Sequence, residues 1–592
     1  MTRMFDLDFL KGLPAQVRLT NGSVAGDGLR LERAWNGDSM RATLTNVSME
    51  PVHVREAALM FGRFPVAASC PFYAEGFHML SQHGGTLGEP HNIGKYGTDE
   101  AFFRLKKSPF SPDTYTAYSL MLLSPTQCDR ALMAFASCKR FMGEFRFRGN
   151  YIEIVMDCED MELRPGESWA FEEFCALFGA NRDALMGALA ARINANHPRR
   201  KYPEIPFGWC SYHAISGVKA GEMVEQARAM QRRIPELKRI QIDDGYQSTT
   251  DWLIPNPESG ADMKEMCGRI REAGCEPAGY IAPFVVSKRS RLFQEHPDWL
   301  LMGDDGLPSQ EHCFNREWYV LDGTNPKAVE YLRHVVRVFH DEWGIRYFKL
   351  DFTSYGALPG VHHDPHKTRV EAFRAVFEAI NDEVGADSYI LGCNAPFWPQ
   401  LGLVDGNRAT NDIFRRWEIV GGNMEELTGR SWQNGRLWIN DPDGVVLEKR
   451  DRSEIRDGVF RRAICELTDA EFEYHKAYIV ASGGVVTSGD KLDEMSEANL
   501  EVLRRMMAVA GDAAVYDDDT FEIGRIEGKD KRLLCVFNHS DEVKSIAVPL
   551  RGRVRLSDFW TGAEMGEHEG HFTLFDMEPH SARVIRVGED AR

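Results

Sequence analysis

Between about residues 203 and 500 the chain repeats one pattern, a short apolar segment followed by a longer one with apolar residues at i, i+3 or i+4. The short segments are FGWCSY (207–212), RIQIDD (239–244), PAGYIAP (277–283), RYFKLDF (346–352), YILGCN (389–394), VDGNRAT (404–410), RLWIND (436–441) and GGVVTS (483–488). Helical stretches such as GEMVEQARAMQRR (221–233), DMKEMCGRIREAG (262–274), PKAVEYLRHVVRVFHDEWG (326–344) and KTRVEAFRAVFEAIND (367–382) separate them. Strand and helix periods that alternate in this way belong to βα units around a parallel sheet. Eight such strands over about 300 residues predict a (β/α)8 TIM barrel.

The flanks read differently. Before residue 200, runs such as GLRLERAW (28–35), MRATLTNV (40–47), ALMAFASC (131–138) and YIEIVMDC (151–158) alternate with NG and GDG turns, as antiparallel strands do. A helical stretch at 181–197 then runs into Pro198, Pro203 and Pro206, which marks a linker. After about 510, RLLCVFNHS, SIAVPL, RVRLSDFW and SARVIRV restore the β pattern. The expectation is therefore an α/β protein with an N-terminal β-sandwich and linker helix at 1–200, the barrel at 201–508, and a small antiparallel β-sandwich at 509–592.

Composition narrows the classes of partner. Lys and Arg total 70 against 89 Asp and Glu, a formal charge of −19, which lacks the basic footprint that nucleic acid or an anionic membrane requires. No apolar run approaches the roughly 20 residues of a membrane span, and the N-terminus has no secretory pattern. The 12 cysteines show neither Cys-x-x-Cys pairs nor zinc spacing, so a reducing cytoplasm without a metal or other cofactor is expected.

In a TIM barrel the reacting side chains come from the C-terminal ends of the strands. Acidic strand ends are Asp243 and Asp244, Asp351, Asp412, and Asp441 with Asp443. A carboxylate there can also serve as a helix N-cap. Lys349 and Asp351 lie two apart on one strand and project to one side, so the lysine would keep the carboxylate ionised as a nucleophile; the alternative is an internal ion pair. Asp243 and Asp244 run into Gly245, where the turn would let both reach the mouth and accept sugar hydroxyls or a divalent metal. The run His362, His363, Asp364, His366 is a second metal candidate, without the spacing of zinc proteases. Trp209, Tyr212, Tyr246, Trp252, Tyr280, Phe284, Trp398 and Trp417 cluster near the same strand ends, as a platform for a pyranose would.

At these residues the chain resembles the clan D glycoside hydrolases, most closely the family 36 α-galactosidases, with family 27 and the raffinose synthases as relatives. The resemblance rests on FGWCSY, IQIDDGYQ, Asp251–Leu253, YIAPF, EHPDW, RYFKLDF, ILGCNAP, LGLVDGNR with Asp412, LWINDPD and DFWTG, in family order. It implies Asp351 as nucleophile and Asp412 as acid/base, Asp243 and Asp244 on the 4- and 6-hydroxyls, and Lys349 and Arg408 orienting substrate. Trp209 and Tyr280 would line the sugar face, and Cys393 with Asn394 would sit near the 2-position. A neighbouring negative charge and limited solvent would keep the proton on Asp412.

The implied activity is an exo-acting, retaining α-galactosidase using a covalent glycosyl-enzyme, on a small α-glycoside, with oligomers formed through the flanking β domains. This sequence departs from the family pattern after Trp209, where Ser211, Tyr212 and His213 follow; Tyr280 stands where Trp is common and Asn394 where Gly is common. Those changes leave an α-N-acetylgalactosaminidase or a transglycosylating relative as alternatives, with a pocket at Asn394 large enough for an N-acetyl group. A divalent-metal barrel enzyme and a catalytically silent sugar-binding protein are the more distant ones.

Overall fold

The computed structural model describes residues 5–588 except 95–98, 100–104, 106, 127, 216, 261, 314–315, 457–458 and 529–530. Its centre is a parallel sheet of β1 (Phe207–Cys210), β2 (Arg239–Ile242), β3 (Glu276–Ile281), β4 (Tyr347–Leu350), β5 (Tyr389–Gly392), β6 (Gly406–Arg408), β7 (Ile439–Asp441) and β8 (Val486–Ser488). Each strand pairs with its neighbour in chain order from β1 to β7, and β1 also pairs with β8. The short strand Gly444–Val445, just past β7, pairs with β8 and closes the barrel. Closure needs a glycine at 444, because a Cβ there would lie 2.8 Å from the ring of His213. All eight strands fall on the segments expected from the sequence.

The barrel helices are α1 (Ala220–Arg233), α2 (Met263–Glu272), α3 (Pro326–Arg337), α4 (Arg369–Val384), α5 (Trp417–Arg430), α6 (Asp469–Ser482) and α7 (Glu497–Val509). Their starts are chemically marked. Thr368 with Glu371 and Thr468 with Glu471 form capping boxes on α4 and α6, and Asn325 caps α3 ahead of Pro326. The connection from β5 to β6 has no helix among the described residues; Phe397, Trp398 and Leu401 bury themselves there instead.

N-terminal to the barrel, thirteen strands among the described residues form an antiparallel sheet around a core that includes Phe141, Phe145, Trp169 and Phe174. C-terminal to it, six antiparallel strands among the described residues enclose Leu534, Val536, Val548 and Ile585. This is the β-sandwich, barrel and β-sandwich arrangement that the patterning predicts. The N-terminal sandwich is keyed into the barrel by charge. Arg430 at the end of α5 is fully buried and pairs with Glu75 at 2.8 Å, while its guanidinium lies 3.9 Å from the Phe397 ring. Breaking one partner of such a buried pair costs about 3–5 kcal/mol.

Candidate active site

The strand pairings decide which side chains enter the barrel. Cys210 pairs with Gln241, Tyr280 with Lys349, and Lys349 with Leu391. Side chains of residues paired in this way share a face, so Cys210, Gln241, Asp243, Tyr280, Lys349, Asp351 and Cys393 make one inward set that ends at the mouth. Trp209 pairs with Ile240 and has the opposite phase. It is fully buried between strands and helices, with its indole N–H donating to the Asp490 carbonyl at 2.8 Å. Trp209 therefore does not line a sugar face, contrary to what the resemblance implies.

Lys349 also departs from expectation. Its ammonium donates to Asp243 Oδ2 at 2.9 Å, an ion pair that bridges β4 and β2, between the rings of Tyr280 (5.4 Å) and Tyr212 (6.0 Å). Burial raises the Asp243 pKa, but the Lys349 charge and the hydrogen bonds it accepts hold it below the ordinary carboxylate value. Asp243 Oδ2 further accepts from Gln241 and from the Cys210 thiol (3.5 Å), and Oδ1 accepts from the Asp244 amide (2.9 Å). With 1% of its surface exposed, Asp243 is an internal anion. Of the adjacent pair only Asp244 is partly open, its Oδ1 accepting from the Gly245 amide and the Gln247 side chain. The turn at Gly245 thus does not bring both carboxylates out into the mouth.

Asp351 is held by neutral donors. The Phe352 amide and Asn394 Nδ2 both donate to its Oδ1, at 2.7 and 2.6 Å. Asn394 Nδ2 thus lies directly against Asp351 Oδ1.

Asp412 has a cation for a neighbour. Arg408, 1% exposed, places one nitrogen 2.7 Å from Asp412 Oδ1 and another 3.0 Å from Asp443 Oδ1. Arg408 thus bridges two carboxylates. Asp443 is gripped further by His213 Nε2 at 2.9 Å and by the Ile413 amide. Burial opposes its ionisation, yet Arg408 and His213 hold it far below the usual carboxylate range. Asp443, one of the acidic strand ends, and His213 were given no role by motif reading, yet the structure brings them to Arg408 and Asp412. The signal was present: His213 is one of the departures after Trp209, and Asp443 closes the INDPD motif.

Cys393 links the two sides. Burial pushes its thiol well above the ordinary value; Asp351 and Asp412 both add to that shift, and Arg408 and Lys349 oppose it. Its sulfur lies 4.0 Å from Asn394 Nδ2 and 3.9 Å from Arg408. Tyr280 is buried among the same acids; burial first, then Asp351, Asp244 and Asp243, drive its phenol well above 10.

The histidine run serves the scaffold. His362 Nδ1 meets Asp322 Oδ1 at 3.0 Å, and Asp322 also accepts from the His363 amide and from Thr324. Among the described residues no group of three or more His, Cys, Asp or Glu side chains is arranged to hold a metal ion. Every cysteine whose side chain is described is a free thiol. No helix among the described residues is long and apolar enough to cross a membrane.

Residues 240–381 match the Melibiase family model. The chain is similar to the melibiases. That match covers Asp243, Asp244, Lys349 and Asp351 and stops short of Asp412. A curated relative, the A type blood alpha-D-galactosamine galactosaminidase of Flavonifractor plautii, is 22% identical over 298 residues, 42% of this chain and 27% of its own length. The chain thus spans only 16–37% of the length of these curated relatives. Among solved structures, the GH36 alpha-galactosidase AgaA of Geobacillus stearothermophilus superposes with TM-score 0.68 at 14% identity, over 97% of this chain and 89% of that one. The alpha-galactosidase TtGalA of Thermus thermophilus gives 0.62 at 21% identity, over 84% and 97%. These likenesses show that the chain shares the fold of AgaA and TtGalA.

Proposed function

We propose that this protein is a retaining, exo-acting α-galactosidase that works by double displacement, with Asp351 as nucleophile and Asp412 as acid/base. The observation that carries the reading is the pair of carboxylates on either side of the Cys393 sulfur: Asn394, 4.0 Å from that sulfur, holds Asp351, and Arg408, 3.9 Å from it, holds Asp412. The melibiase match around Asp351, and the names borne by the similar proteins, support α-galactosides as the substrate.

In the first step an oxygen of Asp351 bonds to the anomeric carbon. The carbon–oxygen bond to the leaving group breaks, and Asp412 delivers its proton to that oxygen. Asp443, held as an anion, shares the Arg408 guanidinium with Asp412 and balances its charge. Neutral Asp412 therefore leaves no uncompensated buried cation. In the second step Asp412, now a carboxylate, takes a proton from water, and the water oxygen displaces Asp351. Asp244, the partly exposed member of its pair, is placed to accept a glycone hydroxyl.

A second reading, a glycone with a nitrogen substituent at C2, is favoured by the Flavonifractor plautii relative. Paired nitrophenyl α-galactoside and α-N-acetylgalactosaminide assays separate the two. Turnover of the first alone is expected, and turnover of the second alone overturns the galactose assignment. Trapping with a 2-deoxy-2-fluoro-α-galactosyl donor should label Asp351; a label on any other residue refutes the nucleophile assignment.

A further inference from the structure

Asn394, just past β5, turns its side chain to Asp351. Its backbone is left-handed, with φ of 43°, a conformation asparagine tolerates better than most residues. Three contacts pin it there. Its amide donates to the Met79 sulfur at 3.1 Å, its carbonyl accepts from the Ser354 amide at 2.9 Å, and the neighbouring Cys393 carbonyl accepts from the Thr353 hydroxyl at 3.3 Å. Residues 77–79 of the N-terminal sandwich brace the same loop. The Met79 amide donates to the Ala395 carbonyl at 3.0 Å, and the Phe397 amide donates to the Phe77 carbonyl at 3.2 Å.

From this fixed backbone the Asn394 side chain reaches Asp351 Oδ1 at 2.6 Å, the same oxygen that the Phe352 amide meets. Among the described residues no donor reaches Oδ2, and Oδ2 is not a buried orphan. It is the oxygen left accessible from the mouth.

We infer that Asn394 is the positioning residue of the nucleophile. Seated by residues 77–79, it locks Oδ1 of Asp351 so that Oδ2 is the atom that attacks. The N-terminal sandwich thereby acts on the chemistry through Met79 and Asn394, without contributing a group to the reaction. This rests on the double-displacement reading above. Bonding of Oδ2 to the anomeric carbon removes the carboxylate charge; Oδ1, as the ester carbonyl oxygen, keeps both donors, and the leaving group departs with its bonding electrons and the Asp412 proton.

The test uses the full chain and its Asn394→Gly variant, glycine being able to keep the left-handed backbone while losing the amide. Crystal structures should show the wild-type amide on Oδ1 and, in the variant, an Asp351 carboxylate rotated or in two orientations. The variant should lose about 10- to 100-fold in kcat/KM, the range for a hydrogen bond to a charged group. The acid limb of its pH profile should move to higher pH, since a lost donor to the ionised form raises the nucleophile pKa. Met79→Leu should change the same limb in the same direction by less. An unmoved limb and unchanged kcat/KM in Asn394→Gly, or a wild-type amide turned away from Asp351, overturns the inference. A wild type inactive on every α-glycoside overturns the function reading instead, and the carboxylate orientation in the two crystal structures then still decides for or against the positioning role.

Discussion

The two carboxylates of the barrel mouth are held in opposite ways. Asp351 rests on an amide N–H and a carboxamide, both neutral, while the nearest strand-borne cation, Lys349, is bonded to Asp243 on another strand. Asp412 rests on Arg408, whose charge is shared with the anion Asp443. The difference matches two kinds of work. A nucleophile needs an oriented oxygen whose electrons no contacting cation withholds. An acid/base needs its proton affinity set by a charge that can be rebalanced when its own charge changes.

The largest expected effect separates the two roles outright. Asp351→Gly should abolish hydrolysis of a dinitrophenyl α-galactoside, by a factor of at least about 10⁴, and added azide should return a β-galactosyl azide. Asp412→Ala should spare the first step for that good leaving group, and azide should then yield the α-galactosyl azide, because the glycosyl-enzyme is displaced with a second inversion. Product anomers read by NMR decide it. The same azide anomer from both variants would dissolve the contrast.

A smaller effect sharpens the acid/base half. Asp443→Asn removes the anion that balances Arg408, leaving the full guanidinium charge on Asp412. An uncompensated cation favours the ionised form of the carboxylate it touches. The basic limb of kcat/KM should therefore move to lower pH, by about one unit, with the acid limb in place. A basic limb that stays put would show that Asp443 does not act through Arg408.

How far the sequence reaches can be read from particular residues. The barrel was legible because each βα unit carries its own period and turn chemistry, and the acidic strand ends sit where the fold puts its mouth. Lys349 and Asp351 do share a face, as their spacing of two predicts. The partner of Lys349 was not legible, because it lies on β2, and spacing within β4 says nothing about what stands across the barrel. Trp209 misled for a related reason: β1 is four residues long, too short to reveal which phase faces inward until its pairing with β2 is known. Asn394 depends on Met79, 315 positions earlier, and no local pattern carries such a contact.

A third carboxylate, against the start of α4 and not at a strand end, extends the comparison to stability. Glu159, in the strand Tyr151–Leu163 of the N-terminal sandwich, meets the first residue of α4. The Arg369 amide donates to it at 2.9 Å and the Arg369 guanidinium lies 3.4 Å away, with Asp157 and His362 also acting on it. Burial lifts its pKa from 4.5 to about 7, with Arg369 opposing and Asp157 adding to the shift. The folded chain thus binds this proton more tightly than the unfolded one, and stability drains away as pH rises from about 4.5 to 7. Glu159→Gln, neutral throughout, should lack that slope. Its melting temperature should exceed that of wild type at pH 8, by the equivalent of about 1–3 kcal/mol, and the two should converge at pH 4. Parallel melting curves across that range would mean that Glu159 is already ionised in the fold and that Arg369 outweighs its burial.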